Sequence, residues 1–425
     1  MTGAMMTAML VLFAISVPIA IALCLASMVG LFGFTTLPAI ILPQQIFIAL
    51  DKFPLAAIPF FILAGNLMEV GGMSRRLVEF ARAFVGPLQG GLAATCVLTC
   101  MMFSAISGSS IATMFAVGTV LIPAMRQYGY PVGFTAALMA VSAELGVIIP
   151  PSIPMILYGV ATQTSIPALF LAGVLPGLLI AGALLVTVLT WCRLRGWGKR
   201  DGDARLDRWT ATRRAIWALL MPMLIMGGIY GGVTTPTEAS IIAVAYALLV
   251  GFVLHREMTW TMMLGAWRRS VLTASVIMFI IGSAGVLGYL LNRQGVPDAA
   301  ALWLTSSFEG PHALMLAINL MLFVVGMFIE TGASIMVLGP ILQDAAVRVG
   351  IDSVHFGTVM IVNLALGMIT PPLGVNLFAA AQIAQCSVTV MLRPLLVFVA
   401  VIVACLLVIT FVPAISLTLP GLMTR

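Results

Sequence analysis

Ser107, Ser109 and Ser110 stand together in SAISGSS, residues 104–110, and about forty residues later ELGVIIPPSIP, residues 144–154, sets Pro150, Pro151 and Pro154 inside a long apolar stretch. Proline lacks a backbone N–H and clashes with the preceding turn, so the Pro150–Pro151 pair ends one helix and Pro154 crowds the next. The same words return later in the chain. Thr331, Gly332, Ala333 and Ser334 follow Glu330, and LGMITPPLG, residues 366–374, repeats the Leu, Gly, Ile and Pro-Pro of residues 145–152 at a constant offset. Irregular backbone at membrane depth is tolerated only where protein buries it or a water-filled cavity solvates it. A matched pair of interrupted apolar segments in two halves therefore points to a transporter's binding site. Bond-breaking chemistry fits less well: a serine nucleophile near Ser110 needs a base, and His255, His312 and His355 all lie far away in sequence. No HExxH pattern or paired intramembrane aspartates occur, which disfavours an intramembrane protease.

The composition dictates where such a site must sit. Of 425 residues, 62% are hydrophobic and 8% charged, with a mean hydropathy of +1.17, and apolar runs long enough to cross a bilayer recur. This is the composition of a polytopic membrane protein. The net charge of +6 comes largely from arginines in short connections, where basic residues orient a membrane protein toward the cytoplasm; nucleic acid is not the expected partner. Cys24, Cys96, Cys100, Cys192, Cys386 and Cys405 show neither zinc-ligand nor disulfide spacing, so no transition metal is expected. The stretch Met1 to Gly30 lacks a basic leader and reads as a retained span.

The organisation expected from these patterns is a duplication. Residues 1–191 form a first membrane repeat, with a re-entrant hairpin near 88–125 and a broken helix near 131–165; residues 215–425 form a second, with a hairpin near 314–349 and a broken helix near 354–386. Between them residues 192–214 carry eight Lys or Arg against three Asp and read as a basic cytoplasmic linker. The segment 74–84 alternates charged and apolar positions at helical spacing, with Leu77, Phe80, Ala81 and Phe84 on one side, and reads as an arm along the membrane surface; residues 255–269 read as its counterpart. Spans are expected near 8–30, 59–70, 168–191, 216–233, 241–253, 271–291 and 395–412. Each hairpin arm is about sixteen residues, below the roughly twenty a span requires. The alternative for the tips is a packing role, since Gly and Ser let membrane helices approach closely.

These residues resemble a known family. GGMSRRLVEFARAFVGPLQGGLA, SAISGSSIAT, GVIIPPSIPMILYG, FLAGVLPGLL, GGIYGGVTTPTEAS and VNLALGMITPPLGVNLF are similar, in order and over nearly the whole chain, to the large membrane subunit of tripartite ATP-independent periplasmic (TRAP) transporters. Ala333, where a second hydroxyl is usual, and Ala365 depart from the pattern. The resemblance implies an all-α polytopic protein of the bacterial inner membrane, built from two inverted repeats and working as an elevator. It implies no enzymatic activity and no cofactor. The implied function is sodium-coupled import of a small organic anion, of the C4-dicarboxylate, sialic acid or other carboxylate class. A small membrane subunit and a periplasmic solute-binding protein are the implied partners, in addition to the lipid bilayer.

Sodium, the one metal ion expected, is small and hard, so oxygens should hold it. Ser107, Gly108, Ser109, Ser110, Pro150 and Ser152 are the candidates in the first half. Thr331, Gly332, Ser334, Thr370 and Pro371 answer them in the second. Half-helix N-termini favour a substrate carboxylate, and Ser109, Pro151, Ala333, Gly374 and Asn376 are its expected contacts. Glu144 and Glu330 are the acids nearest these elements; intramembrane acids are functional by default, yet either could pair structurally at an interface. An ion channel, or a secondary transporter working without a binding protein, remains the alternative.

Overall fold

A computed structural model describes residues 1–198, 207–308, 310–372 and 374–423, and among these the ordered structure is entirely helical. The chain opens with α1 (Thr2–Ala14) and α2 (Ile19–Phe34). A single span expected over 8–30 is thus two helices, because Ser16 takes a positive φ of 61° and Pro18 cannot continue the ladder. After α3 (Ile41–Leu50), a 3₁₀ turn leads into α4 (Ala57–Val70). Gly71 and Gly72 end α4, and the arm helix α5 (Met73–Val85) buries Leu77, Val78 and Ala81 against α6 and α12.

The first hairpin is α6 (Gly91–Ser107) and α7 (Ser110–Gln127), joined by a two-residue turn. The first broken helix follows as α8 (Val132–Ala143), the single turn α9 (Leu145–Ile148) and α10 (Ile153–Thr162), bent by 42° at the break. A long span, α11 (Ile166–Arg195), runs into the basic segment, and α12 (Arg208–Tyr230) leaves it. The expected linker is therefore helical at both ends; its middle, 199–206, lies outside the described residues.

TTPTEAS proves to be a helix start. Thr235 Oγ1 accepts from Glu238 N and Glu238 Oε2 accepts from Thr235 N, a capping box that opens α13 (Pro236–Leu249). A π turn and a short loop lead to α14 (Trp260–Arg293). The second arm expected over 255–269 is not a separate element, because α14 runs unbroken from Trp260 through the following span. In the first half Gly86–Pro87 and Gly90–Gly91 end the arm; no proline or glycine pair interrupts 260–293. Arg76 Nη2 lies 2.6 Å from Glu257 Oε1, tying α5 to the loop before α14 and holding that exposed carboxyl below its ordinary range.

The second half continues with α15 (Val296–Ser307), the hairpin helices α16 (Gly310–Phe328) and α17 (Thr331–Arg348), and the broken pair α18 (Ser353–Met368) and α19 (Val375–Ala384); α20 (Val388–Phe411) and α21 (Ala414–Met423) close the chain. Six of the described helical segments are long and apolar enough to cross a membrane, or seven if the bent pair counts as one. Their outward side chains, such as Val186, Leu320 and Leu396, are exposed, as a hydrocarbon environment permits.

The two halves interlock. The distal part of each broken helix packs on the other half's hairpin, α10 on α17 and α19 on α7. Tyr158 Oη donates to the Ser353 carbonyl at 3.0 Å, and Arg126 Nη1 donates to the Ala384 carbonyl at 3.3 Å. At Gly326 and Gly367 the backbones of α16 and α18 touch: a Cβ on Gly367 would lie 2.4 Å from the Gly326 carbonyl carbon. Gly367→Ala should therefore force the helices apart and cost about 1–3 kcal/mol, the range for overpacking. Gly227→Ala, where a Cβ meets nothing within 4 Å, should be neutral or stabilising by up to about 1 kcal/mol. Thermal unfolding in detergent measures both, and a Gly367→Ala protein melting at or above the parent temperature contradicts the close approach.

Candidate functional site

The first hairpin turns at Gly108, whose φ of 60° places it where a side chain is strained. Its carbonyl accepts from Ile153 N at 3.2 Å, so the tip supplies an acceptor to the first N–H of α10. A Cβ at Gly108 would fall 2.7 Å from the Pro151 carbonyl oxygen. The tip and the break are thus in backbone contact, and Ser107, Gly108, Ser109, Ser110, Pro150, Pro151 and Ser152 gather in one neighbourhood. Ser152 Oγ reaches back over the break to the Val147 carbonyl at 2.6 Å.

Several oxygens converge behind the tip. Ser107 Oγ is 2.9 Å from Thr113 Oγ1, which donates to the Ser109 carbonyl at 2.9 Å. Gly146, on the short α9, approaches the same atoms: a Cβ there would lie 2.7 Å from the Ser109 oxygen and 2.9 Å from Thr113 Oγ1. Sequence reasoning missed Thr113 and Gly146. The signal was present in the i, i+4 spacing of Thr113 from Ser109, which lets a helical hydroxyl bond the carbonyl one turn back.

The second half is arranged differently. Glu330 caps α17, accepting from Ala333 N at 3.1 Å, and Thr331 Oγ1 contacts Met368 Sδ at 2.9 Å. Ser334 Oγ is buried without a hydrogen-bond partner among the described residues. Thr370 Oγ1 bonds the Leu366 carbonyl at 2.8 Å. Pro371 and Pro372 are exposed, whereas Pro150 and Pro151 are buried, so the second break is not roofed by its hairpin tip as the first is. Gly374 starts α19 with a φ of 44°.

One cavity, of about 680 Å³, joins the two tips. Ser107, Gly108, Ser109 and Ser110 line it from the first hairpin, Glu330, Thr331 and Gly332 from the second, and Pro154 and Met368 from the broken helices. Its far wall is made by α4 and α14 through Ile62, Asn66, Glu69, Arg269, Thr273 and Ile277, none of which the sequence singled out for a site. Ser334, Ala333, Thr370, Pro371, Gly374 and Asn376 do not line it. Asn376 is fully buried, and its amide Nδ2 donates to Oε1 of the equally buried Glu144. This contact joins the break of the first half to the first turn of α19. Glu144 Oε2 and Asn376 Oδ1 have no partner among the described residues.

Residues 6–415 match the family described as the tripartite ATP-independent periplasmic transporter, DctM component. The isethionate TRAP transporter permease protein DctMQ of Oleidesulfovibrio alaskensis is 40% identical over 408 residues, covering 96% of this chain; the chain spans 64% of that relative's length. The C4-dicarboxylate TRAP transporter large permease protein DctM of Rhodobacter capsulatus is 37% identical over 422 residues, covering 96% of both chains. Among solved structures, the YdaH transporter of Alcanivorax borkumensis superimposes with a TM-score of 0.62 at 16% identity, over 89% of this chain and 87% of that one, a likeness of fold.

The Glu144–Asn376 contact can be tested directly. Asn376→Ala removes the only donor the buried Glu144 carboxyl has among the described residues, and should cost about 1–3 kcal/mol, the price of an unsatisfied buried group. Thermal melting of the purified variant checks it. A melting temperature equal to the parent's means that the amide contributes nothing there.

Proposed function

The chain belongs to the DctM component family of tripartite ATP-independent periplasmic transporters, a multi-pass inner-membrane permease and not an enzyme, and we propose that it imports a small organic anion in symport with sodium. One observation carries this reading: both hydroxyl-bearing hairpin tips open into the same cavity, so ions held behind the tips and a substrate held between them would be felt by one another. The substrates in the names of the two relatives, a C4-dicarboxylate and isethionate, are small organic anions and support the class.

The donor chemistry fits sodium. Ser107 Oγ, the Ser109 carbonyl and Thr113 Oγ1 already crowd together behind the first tip, with the carbonyls around Pro150 and the Ser110 hydroxyl beside them. In the second half the orphaned Ser334 hydroxyl is the strongest candidate, with Thr331, Thr370 and the Pro371 region. Gly108 and Gly332 bring backbone close. The N-terminus of α7 presents N–H groups and a positive dipole end to the cavity, which suits a carboxylate or sulfonate, whereas at α17 the Glu330 carboxylate already takes that place. Ser109, at the N-cap of α7, then belongs to both ligands' surroundings.

Movement would follow the cavity. Hairpins and broken helices, interlocked as α6–α10 and α16–α19, would travel as one body past α4, α5 and α12–α14. The two related halves would run inverted, as a shuttling core requires. A periplasmic binding protein would deliver the anion, and a small membrane subunit would stabilise the scaffold; both are read from the family. Glu144 and Asn376, inside the proposed body, would keep its two halves in step, leaving Asn376 away from the substrate.

Reconstituted with its partners, the permease should accumulate substrate only under an inward sodium gradient and without ATP. Ser110→Ala and Ser334→Ala should each raise the sodium concentration for half-maximal uptake by roughly fivefold to hundredfold, equivalent to about 1–3 kcal/mol for a lost buried partner. Sodium titrations of uptake decide the matter. Unchanged curves for both variants remove these serines from the ion sites, and uptake sustained by potassium alone rejects sodium coupling.

A further inference from the structure

The cavity wall that does not belong to the hairpins carries charge that the proposed ion and anion sites at the tips do not use. Of the described residues lining the cavity, the charged ones are Glu69 on α4, Arg269 on α14 and Glu330. Glu330 is engaged as the cap of α17. Arg269 is the sole cation. Much of the remaining lining, including Ile62, Ile111, Phe115, Val276 and Ile277, is apolar, and an anion moved from water into such a space needs a compensating positive charge.

Arg269 is poorly satisfied where it stands. Its Nη2 is 4.0 Å from Glu69 Oε2, and the two side chains keep 55% and 33% of their exposure. By contrast Arg76 and Glu257 meet at 2.6 Å. The guanidinium thus has capacity for a planar two-oxygen ligand, the geometry at which arginine binds most strongly. Its helix is anchored to α4 one residue further on, where Asn66 Nδ2 donates to Ser270 Oγ at 2.7 Å. Arg269 therefore sits on the wall and not on the hairpins.

Its position along the wall gives a direction. Ile280, which clusters with Ala333 beside the second tip, is eleven residues further along α14, about 17 Å at the helical rise. At the Arg269 end lie Arg268, the arm arginines Arg75 and Arg76 that follow Glu69, and Arg214, 3.9 Å from Glu79. A concentration of arginine at one end marks the cytoplasmic side.

We propose that Arg269 is the cytoplasmic-side contact for the substrate's anionic group, with Glu69 as the competing carboxylate that returns to Arg269 as the anion departs. The proposal rests on the organic-anion reading above. An anion held at the hairpin tips meets Arg269 on its way out, exchanging the N-terminus of α7 for a guanidinium. Glu69 then limits how long it stays. Because Arg269 is fixed to the wall, its removal acts on the inner side of the cycle and leaves the ion sites behind the tips untouched.

The test uses the complete transporter in liposomes, with labelled succinate and, separately, labelled isethionate as probes. Half-maximal concentrations are measured for internal anion in exchange, for external anion in uptake and for sodium. Arg269→Gln should raise the internal value about tenfold, the loss of roughly 1.4 kcal/mol, with the sodium value unchanged, and Arg269→Lys should recover part of it. Glu69→Gln should lower the internal value. An active Arg269→Gln protein with an unchanged internal value overturns the proposal, as does a shift confined to sodium. Should Arg269→Gln fail to fold, an unchanged internal value in Glu69→Gln overturns it equally. A wild-type transporter that moves neither anion defeats the organic-anion reading for these substrates and this proposal with it, an outcome distinct from silence of the variants alone.

Discussion

A proline pair inside hydrocarbon leaves carbonyls without donors and amides without acceptors, and nothing in lipid can supply them. The rest of the fold follows from that requirement. At the first break the Gly108 carbonyl takes up Ile153 N, and the Ser152 hydroxyl takes up the Val147 carbonyl. The hairpin tip is thereby brought against the break, and the oxygens behind the tip end up beside those freed by the prolines. This cluster of oxygens is the one on which the proposed ion site rests.

The same constraint explains why the halves are interlocked and not side by side. Each distal helix, α10 and α19, is ten residues long and too short to hold its place by hydrogen bonding within itself. Each finds its packing surface on the opposite hairpin, which ties residues far apart in sequence into one body. Glu144 with Asn376, Tyr158 with Ser353 and Arg126 with Ala384 are the polar points of that tie. Membrane helices gain little from hydrophobic association and depend on close packing and such bonds, as the Gly326–Gly367 contact also illustrates.

The two halves are not equivalent in detail. The first break is buried under its tip, while Pro371 and Pro372 are exposed and Thr331 turns to Met368 instead. The charged pair on the opposite wall, Glu69 and Arg269, lies on α4 and α14, outside the hairpins and broken helices.

Much of this was legible in the residues. Apolar length announced the membrane, proline pairs announced the breaks, and clustered hydroxyls followed by apolar runs marked the tips, because each is a local consequence of backbone chemistry. The capping box in TTPTEAS was also legible in principle, since Thr235 and Glu238 have the required spacing, yet the spans expected over 216–233 and 241–253 leave the segment between them. Local pattern failed where continuity depended on neighbours: the expected arm over 255–269 is part of α14, and the expected first span is two helices hinged before Pro18. The cavity's far wall could not be read at all. Asn66, Glu69, Arg269 and Thr273 lie on ordinary-looking helices about 200 residues apart, and only the packing of α4 against α14 puts them opposite the hairpin tips. Likewise nothing local distinguishes Asn376, one residue into α19, as the partner of Glu144. That pairing exists because the second broken helix crosses to the first, a decision of tertiary packing that no single stretch of sequence encodes.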